Sequence, residues 1–188
     1  MNIGFALCGS FCTYSKVFPV LELLCRDYRV TPIFSEAAYT TDTRFGTALE
    51  HIATVRELCG ISPLHTVSQA EPIGPKKLFD ILVIAPCTGN TLAKLSHGIA
   101  DGPVTMAAKS HLRNNRPILI AVSTNDALSG AAANIGTLTN RKHYYFVPFG
   151  QDDPINKPNS MVADFNQIPS ALEAALEGHQ IQPILLRG

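Results

Sequence analysis

The chain has no surplus charge of either sign: its 188 residues hold fifteen Lys and Arg against fifteen Asp and Glu. It also has no basic stripe and no long charge run, so nucleic acid and anionic membrane surfaces are disfavoured and a small neutral or anionic ligand is expected. No apolar run reaches the roughly 18 residues of a membrane helix, and no basic leader precedes the first apolar segment. The expectation is a soluble, cytoplasmic protein. Disulfide and metal signatures are lacking too. The five cysteines, at positions 8, 12, 25, 59 and 87, are odd in number and contain no C-x-x-C, which favours reduced thiols over a disulfide framework. Cys8 and Cys12 have neither a second pair nor a nearby histidine to complete a tetrahedral set, so no metal site is expected. The six histidines, at 51, 65, 97, 111, 143 and 179, are dispersed, and none sits beside a serine or cysteine in a nucleophile motif. They are read as surface or helix-end residues.

What is present is a 46% hydrophobic chain, long enough to bury one sizeable core, and residues 1–188 are expected to form a single domain. Strand and helix patterns alternate along it. Strands are predicted at Ile3–Leu7, Val30–Phe34, Leu64–Val67, Leu78–Ala85, Pro117–Val122 and Tyr144–Val147. Helices are predicted at Ser15–Cys25, Phe45–Cys59, from Thr91 to a break near Gly98, and at Ala100–Arg113, Ala127–Leu138 and Ser170–Leu176. In the second helix Phe45, Leu49, Ile52 and Cys59 share a face, and Gly60 stands at the C′ position. Ser68–Pro75 reads as turn, and the tail Ile181–Leu186 as an edge strand or an oligomer contact. Such alternation with short connections specifies βαβ units: an α/β fold with a doubly wound parallel sheet, Rossmann-like and three-layered (αβα).

In such a sheet ligands bind outside the carboxyl ends of the strands, so the loops there carry the functional reading. The most informative one follows Ile81–Ala85, a continuously apolar strand that Pro86 is expected to stop. Cys87, Thr88, Gly89, Asn90 and Thr91 then offer hydroxyl, amide and N–H donors at a helix N-terminus, where a phosphate is received. After the first strand, Gly9 and Ser10 stand in a loop with one glycine, short of the G-x-G-x-x-G that a dinucleotide requires. That favours a monophosphate over NAD. Ser35 follows the second strand. Ser123–Asp126 follows Pro117–Val122, and there Asn125 or Asp126 is also the natural cap of the next helix. Phe149–Ser160 is too long and polar for an ordinary connection, and such loops are commonly functional.

Taken together these loops resemble the FMN-dependent flavoprotein superfamily of the phosphopantothenoylcysteine decarboxylases, lantibiotic peptidyl-cysteine decarboxylases and flavin prenyltransferases. The family pattern P-A-S-A-N-T, then a helix and G-I-A-D-N, is matched by Pro86-Cys87-Thr88-Gly89-Asn90-Thr91 and Gly98-Ile99-Ala100-Asp101-Gly102, and Gly9-Ser10 matches its first phosphate loop. The resemblance covers about residues 2–178. It implies bound FMN, a flavoprotein fold, and a homo-oligomer that is a trimer or a multiple of one. With Ser35 added from its place after the second strand, the expected cofactor-binding residues are Gly9, Ser10, Ser35, Pro86, Thr88, Asn90 and Thr91.

Departures from the family are informative. The decarboxylases carry a histidine base where this chain places Pro72, and a clamp cysteine near the C-terminus, whereas this chain has no cysteine after Cys87. The prenyltransferase pattern Y-H-R-P-Q-S is replaced by Ile155-Asn156-Lys157-Pro158-Asn159-Ser160, which keeps a positive charge and loses the tyrosine. Neither cousin's chemistry is expected to survive, and no catalytic residue is assigned. The segments STNDALSGAAANIGTLTNRKHYYFVPFGQDDP and KPNS resemble a branch whose members form one half of a two-component oxidoreductase in the mother-cell cytoplasm of sporulating bacteria. That implies a partner chain carrying NAD(P) and a dihydro precursor oxidised to pyridine-2,6-dicarboxylate. Asn125 and Lys157, on loops flanking the expected pocket, are the expected substrate contacts, and Arg141 and Lys142 are further candidate cations for a dicarboxylate. Two other readings stay open: an independent FMN-dependent decarboxylase or prenyltransferase-like enzyme, and a non-catalytic assembly protein that has kept the fold.

Overall fold

The computed structural model describes residues 1–186. Its sheet is organised around β3 (Ile81–Cys87), in which every residue is buried. A strand apolar on both faces must be covered on both faces, which a parallel sheet with helical crossovers provides. β3 lies between β1 (Asn2–Leu7) and β4 (Ile118–Thr124); β2 (Arg29–Phe34) pairs outside β1 and β5 (Tyr144–Phe146) outside β4, all parallel. The order β2-β1-β3-β4-β5 is a doubly wound arrangement, as the alternation predicts.

Two features lie beyond that reading. β6 (Phe149–Gly150) and β7 (Met161–Ala163) form an antiparallel pair, and β7 docks antiparallel on the end of β4. The long polar segment is therefore the excursion of a hairpin, held by Gln151 Nε2 donating to the Pro158 carbonyl at 2.8 Å and Lys157 N donating to the Asp153 carbonyl at 2.8 Å. Moreover, β3 does not stop at Pro86. Ile84 pairs with Ile120 and Cys87 with Val122, so an extra residue is accommodated around the cis Ala85–Pro86 bond and the strand continues. Proline lacks an N–H for the ladder, which disrupts pairing locally without ending it.

The helices are α1 (Tyr14–Asp27), α2 (Glu36–Thr40), α3 (Ala48–Cys59), α4 (Val67–Ala70), α5 (Gly89–His97), α6 (Pro103–Leu112), α7 (Ala132–Thr139) and α8 (Ile168–Leu176). Several predicted boundaries move. α3 begins at Ala48, because Thr47 and Glu50 form a capping box: Thr47 Oγ1 accepts from Glu50 N, and Glu50 Oε2 accepts from Thr47 N at 2.7 Å. Phe45 is thereby left outside the helix and Leu49 faces solvent; the buried face is Ala48, His51 and Val55. Leu64–Val67 supplies one bridge, Ile33 to Leu64, and Val67 already belongs to α4, so Ser68–Pro75 is largely helical, continuing through a 3-10 turn at Glu71–Ile73. α7 starts five residues later than its pattern suggests, because Asp126 and Leu128 are taken up in turns: Ala131 N donates to the Asp126 carbonyl and Leu128 N to that of Asn159. The tail contributes an edge bridge between Phe149 and Leu185.

Two histidines are core residues, contrary to the surface reading. His51 packs against Phe11, Tyr14 and Phe18, and His111 is 1% exposed, with Nε2 3.0 Å from the Pro117 carbonyl. Burial pushes the His111 pKa down to about 4. The unfolded chain takes up that proton near pH 6.5, so across pH 6.5 to 4 it binds more protons than the folded one, and stability is lost as pH falls through that window. The loss should reach ~2 kcal/mol at pH 5, with no contribution above pH 6.5. Urea unfolding at pH 7.5 and 5 reads it; a His111→Gln chain with an undiminished acid loss would refute this origin.

Close approach constrains β1. A Cβ built on Gly4 would lie 2.5 Å from Cδ2 of the Phe79 ring, and that ring is 2% exposed and cannot swing out. Gly4→Ala should therefore cost about 1–3 kcal/mol, lowering Tm by about 2–4 °C for each kcal/mol. An unchanged thermal midpoint would show the contact to be loose.

Candidate functional site

The loops after β1, β2, β3 and β4 meet at the carboxyl edge of the sheet, and two clefts open there. The first, about 570 Å³, is walled by Gly9, Ser10, Phe11 and Lys16 from the β1 side, by Thr43 and Phe45 from the turn before α3, and by Thr124, Asn125, Asp126 and Lys157 opposite. The second, about 600 Å³, is walled by Ser35, Thr40, Asn90, Thr91, Lys94 and the segment Asp101–Thr105. Gly9 and Thr88 line both and form the ridge between them.

Each ridge and wall residue has a local cause. Ser10 stands at the N-cap position of the 3-10 turn Phe11–Thr13, but its hydroxyl makes no capping bond and lies 2.7 Å from Ser123 Oγ, tying the end of β1 to the end of β4 across β3. Tyr14 OH donates to the Cys8 carbonyl at 2.9 Å and fixes the same loop from α1. Ser35 caps α2, accepting from Ala38 N at 3.2 Å, which leaves its O–H free to donate. Thr88 caps α5, accepting from Thr91 N at 3.4 Å. The N–H groups of Gly89 and Asn90 fall in the first turn of that helix and have no carbonyl partner within it. Asn90 is exposed on the second cleft. Thr91 is buried, and its hydroxyl donates to Cys8 Sγ at 3.3 Å. Pro86 is buried within β3 and lines neither cleft.

The charges here are mostly paired. Lys94 Nζ lies 2.9 Å from Asp101 Oδ1, and Lys157 Nζ 3.4 Å from Asp152 Oδ2. Asp126 does not cap α7 as its position suggests. Thr124 Oγ1 donates to its carboxylate, and a Cβ on Gly89 would lie 2.7 Å from Asp126 Oδ1, so glycine is what admits that carboxylate to the start of α5. A negative group there is favoured by the helix dipole. Burial pushes the Cys8 thiol up to about 11 and the Cys87 thiol well above its ordinary value. Both therefore stay protonated near neutral pH, and neither serves as a thiolate nucleophile.

This donor set fits a ligand with an anionic end and a planar apolar body, as FMN has. Hydroxyls and unpaired N–H groups gather around Gly9, Thr88 and the second cleft, while the rings of Phe11 and Phe45 wall the first.

The Flavoprotein family model matches residues 1–173. The chain belongs to the Flavoprotein family. It is 46% identical over 186 residues to the B subunit of dipicolinate synthase from Bacillus subtilis (strain 168), covering 98% of this chain and 93% of that one. The crystal structure of the dipicolinate synthase B subunit from Bacillus halodurans superposes with a TM-score of 0.90 at 44% identity, over 99% and 96% of the two chains. The FMN-dependent cysteine decarboxylase SpaF shares the fold, with a TM-score of 0.71 at 23% identity over 94% and 95%. Among the described residues no helix is long and apolar enough to cross a membrane.

Of the positions singled out in the sequence of this Flavoprotein-family member, Gly9, Ser10, Thr88, Asn125 and Lys157 come together on the first cleft, and Gly9, Ser35, Thr88, Asn90 and Thr91 on the second. Arg141 and Lys142 lie elsewhere. Arg141 donates to the Leu95 and Ser96 carbonyls at 3.3 and 2.7 Å, closing the C-terminal end of α5. Pro72 lies in the 3-10 turn after α4 and lines neither cleft. Phe11, Lys16 and Phe45 are cleft residues that the sequence reading passed over. The T-x-x-E signal of Thr47 and Glu50 would have placed Phe45 outside the helix and so at the cleft.

Proposed function

We propose that this chain binds FMN across the two clefts and serves as the B subunit of a dipicolinate synthase, acting with the A subunit to oxidise dihydrodipicolinate to dipicolinate. The observation that carries the reading is the meeting of the two clefts at Gly9 and Thr88: a hydroxyl and N–H wall suited to a phosphate adjoins an aromatic wall that also presents Asn125 and Lys157. The extent of identity to the dipicolinate synthase chains of two Bacillus species supports the choice of reaction. In the proposal Gly9, Ser35, Thr88, Asn90 and Thr91 hold the phosphate, Ser10 meets the cofactor from the first cleft, Pro86 shapes the end of β3 beneath them, and Asn125 and Lys157 orient the substrate carboxylates. A bound flavin supplies a two-electron acceptor. In the proposal the partner chain carries the NAD(P) site, and no catalytic residue is assigned on this chain. The assembly proposed is a homo-oligomer, a trimer or a multiple of one, working in the mother-cell cytoplasm during sporulation as one flavoprotein domain per chain.

Phosphate recognition here rests on hydrogen bonds to a charged group, each contributing about 1.5–3 kcal/mol. Thr88→Ala combined with Asn90→Ala should weaken FMN at least tenfold, read by fluorescence titration against wild type. Because Thr88 also caps α5, a thermal melt of the double variant separates lost binding from lost fold. Equal affinities would remove these residues from the site.

The reaction itself is tested by mixing the purified chain with its synthase partner and following dihydrodipicolinate. The complex should outpace the partner on its own, and Lys157→Ala should raise KM for the dicarboxylate severalfold with little change in Tm, since Lys157 is a half-exposed loop residue. Failure to associate, with dipicolinate formed equally well when this chain is omitted, would refute the assignment. Turnover of a cysteinyl substrate by the chain alone would favour an independent decarboxylase, and association without flavin absorbance a non-catalytic assembly protein.

A further inference from the structure

Away from both clefts, at the opposite end of the α1 and α3 pair, Cys25 and Cys59 stand with their sulfurs 3.6 Å apart. Each sits near the C-terminal end of its helix, and each is half-buried, open enough for a small oxidant yet packed against the core. We infer that Cys25 and Cys59 form a modification site: an oxidisable dithiol that closes to an intramolecular disulfide. A disulfide requires sulfurs about 2.05 Å apart, so closure brings the two sulfurs about 1.5 Å nearer than their present 3.6 Å.

The chemistry distinguishes this pair from the other thiols. The Cys59 thiol, in hydrogen-bond contact, stabilises the Cys25 thiolate and draws the Cys25 pKa below its ordinary value, while the same contact and burial push Cys59 up. The proposal takes Cys25 as the nucleophile and Cys59 as the resolving thiol, an order that the two single serine variants below test directly. With hydrogen peroxide as oxidant, the Cys25 thiolate attacks one peroxide oxygen, the O–O bond breaks, and hydroxide leaves, giving Cys25–SOH. The Cys59 sulfur then attacks the Cys25 sulfur, the S–OH bond breaks, and the hydroxyl leaves as water with the Cys59 proton. Two electrons pass from the dithiol to the peroxide. Cys8 and Cys87 are buried and held as thiols, and Cys12 is exposed but has no second thiol beside it.

Closure would link residues 25 and 59 around a segment that carries Ser35 and the Thr43–Gly46 turn, which line the two clefts. A cross-link spanning such a segment restricts the unfolded chain, so the oxidised protein should melt several degrees higher, and a thiol reductant should reverse the shift. The experiment treats the reduced full-length chain, as Cys12→Ser, with a modest excess of peroxide at pH 7.5. Intact mass should fall by two hydrogens, and a non-reducing peptide map should recover Cys25 joined to Cys59. Cys25→Ser should abolish the mass loss, whereas Cys59→Ser should trap an oxygen adduct on Cys25 that a sulfenic-acid reagent captures. If Cys25 and Cys59 remain fully alkylatable after peroxide treatment, or the adduct in Cys59→Ser forms on another cysteine, the inference is overturned.

Discussion

The complete burial of β3 is the constraint from which the rest follows. Seven residues, Ile81–Cys87, expose nothing on either face, so neighbouring strands must satisfy their backbone and helices must cover both surfaces. Parallel pairing with β1 and β4 does the first and the crossovers do the second. A sheet centre built this way excludes polar side chains, so they collect where the strands end. The segment from Thr88 to Thr91, Ser10 against Ser123 and the Ser35 cap lie at the same edge because each follows a strand held in register with β3.

Periodicity makes this legible where burial is two-sided. β1, β3 and β4 are readable because an apolar run of five or more residues between turn formers has few other solutions; β2, interrupted by Thr31 and Pro32, is readable from its place between helices, and the doubly wound order follows from that alternation. It fails where a residue's hydrophobicity is spent outside the core. Phe45 and Leu49 have helical spacing with Ile52 and Cys59, yet the capping box starts α3 at Ala48 and turns the apolar stripe to Ala48, His51 and Val55. The β6 and β7 hairpin is unreadable for a different reason. Its strands are two and three residues long, too short for alternation, and their pairing depends on the end of β4 rather than on their own sequence. His51 and His111 mislead because a histidine's burial is decided by its neighbours: an aromatic cage for one and the Pro117 carbonyl for the other.

Within the site, motif and geometry agree on place and differ on function. Thr88 and Ser35 do cap helices, the plain structural explanation for each, and both residues also line a cleft. Capping and ligand binding are therefore not alternatives at these positions. Ser10 is different: free of capping duty, its hydroxyl spans to Ser123, so the first loop is positioned by a contact 113 residues distant that no local pattern announces.

Asp126 adds a constraint on orientation that the loops alone do not. Its carboxylate occupies the side of the α5 N-terminus nearest Gly89, so that helix end is closed to a phosphate from the first cleft, while Lys157 and Asn125 stand elsewhere on the same cleft. The second cleft approaches the same helix end from Asn90, and its own acid, Asp101, is neutralised by Lys94 at 2.9 Å. FMN bridging the ridge at Gly9 and Thr88 would, in the proposed function, place its phosphate in the second cleft and its planar body beside Phe11 and Phe45. Under the proposed function this ordering has a chemical consequence. It leaves Lys157 and Asn125 facing the planar end, where two-electron chemistry would take place, and keeps the substrate carboxylates away from the phosphate they would otherwise repel.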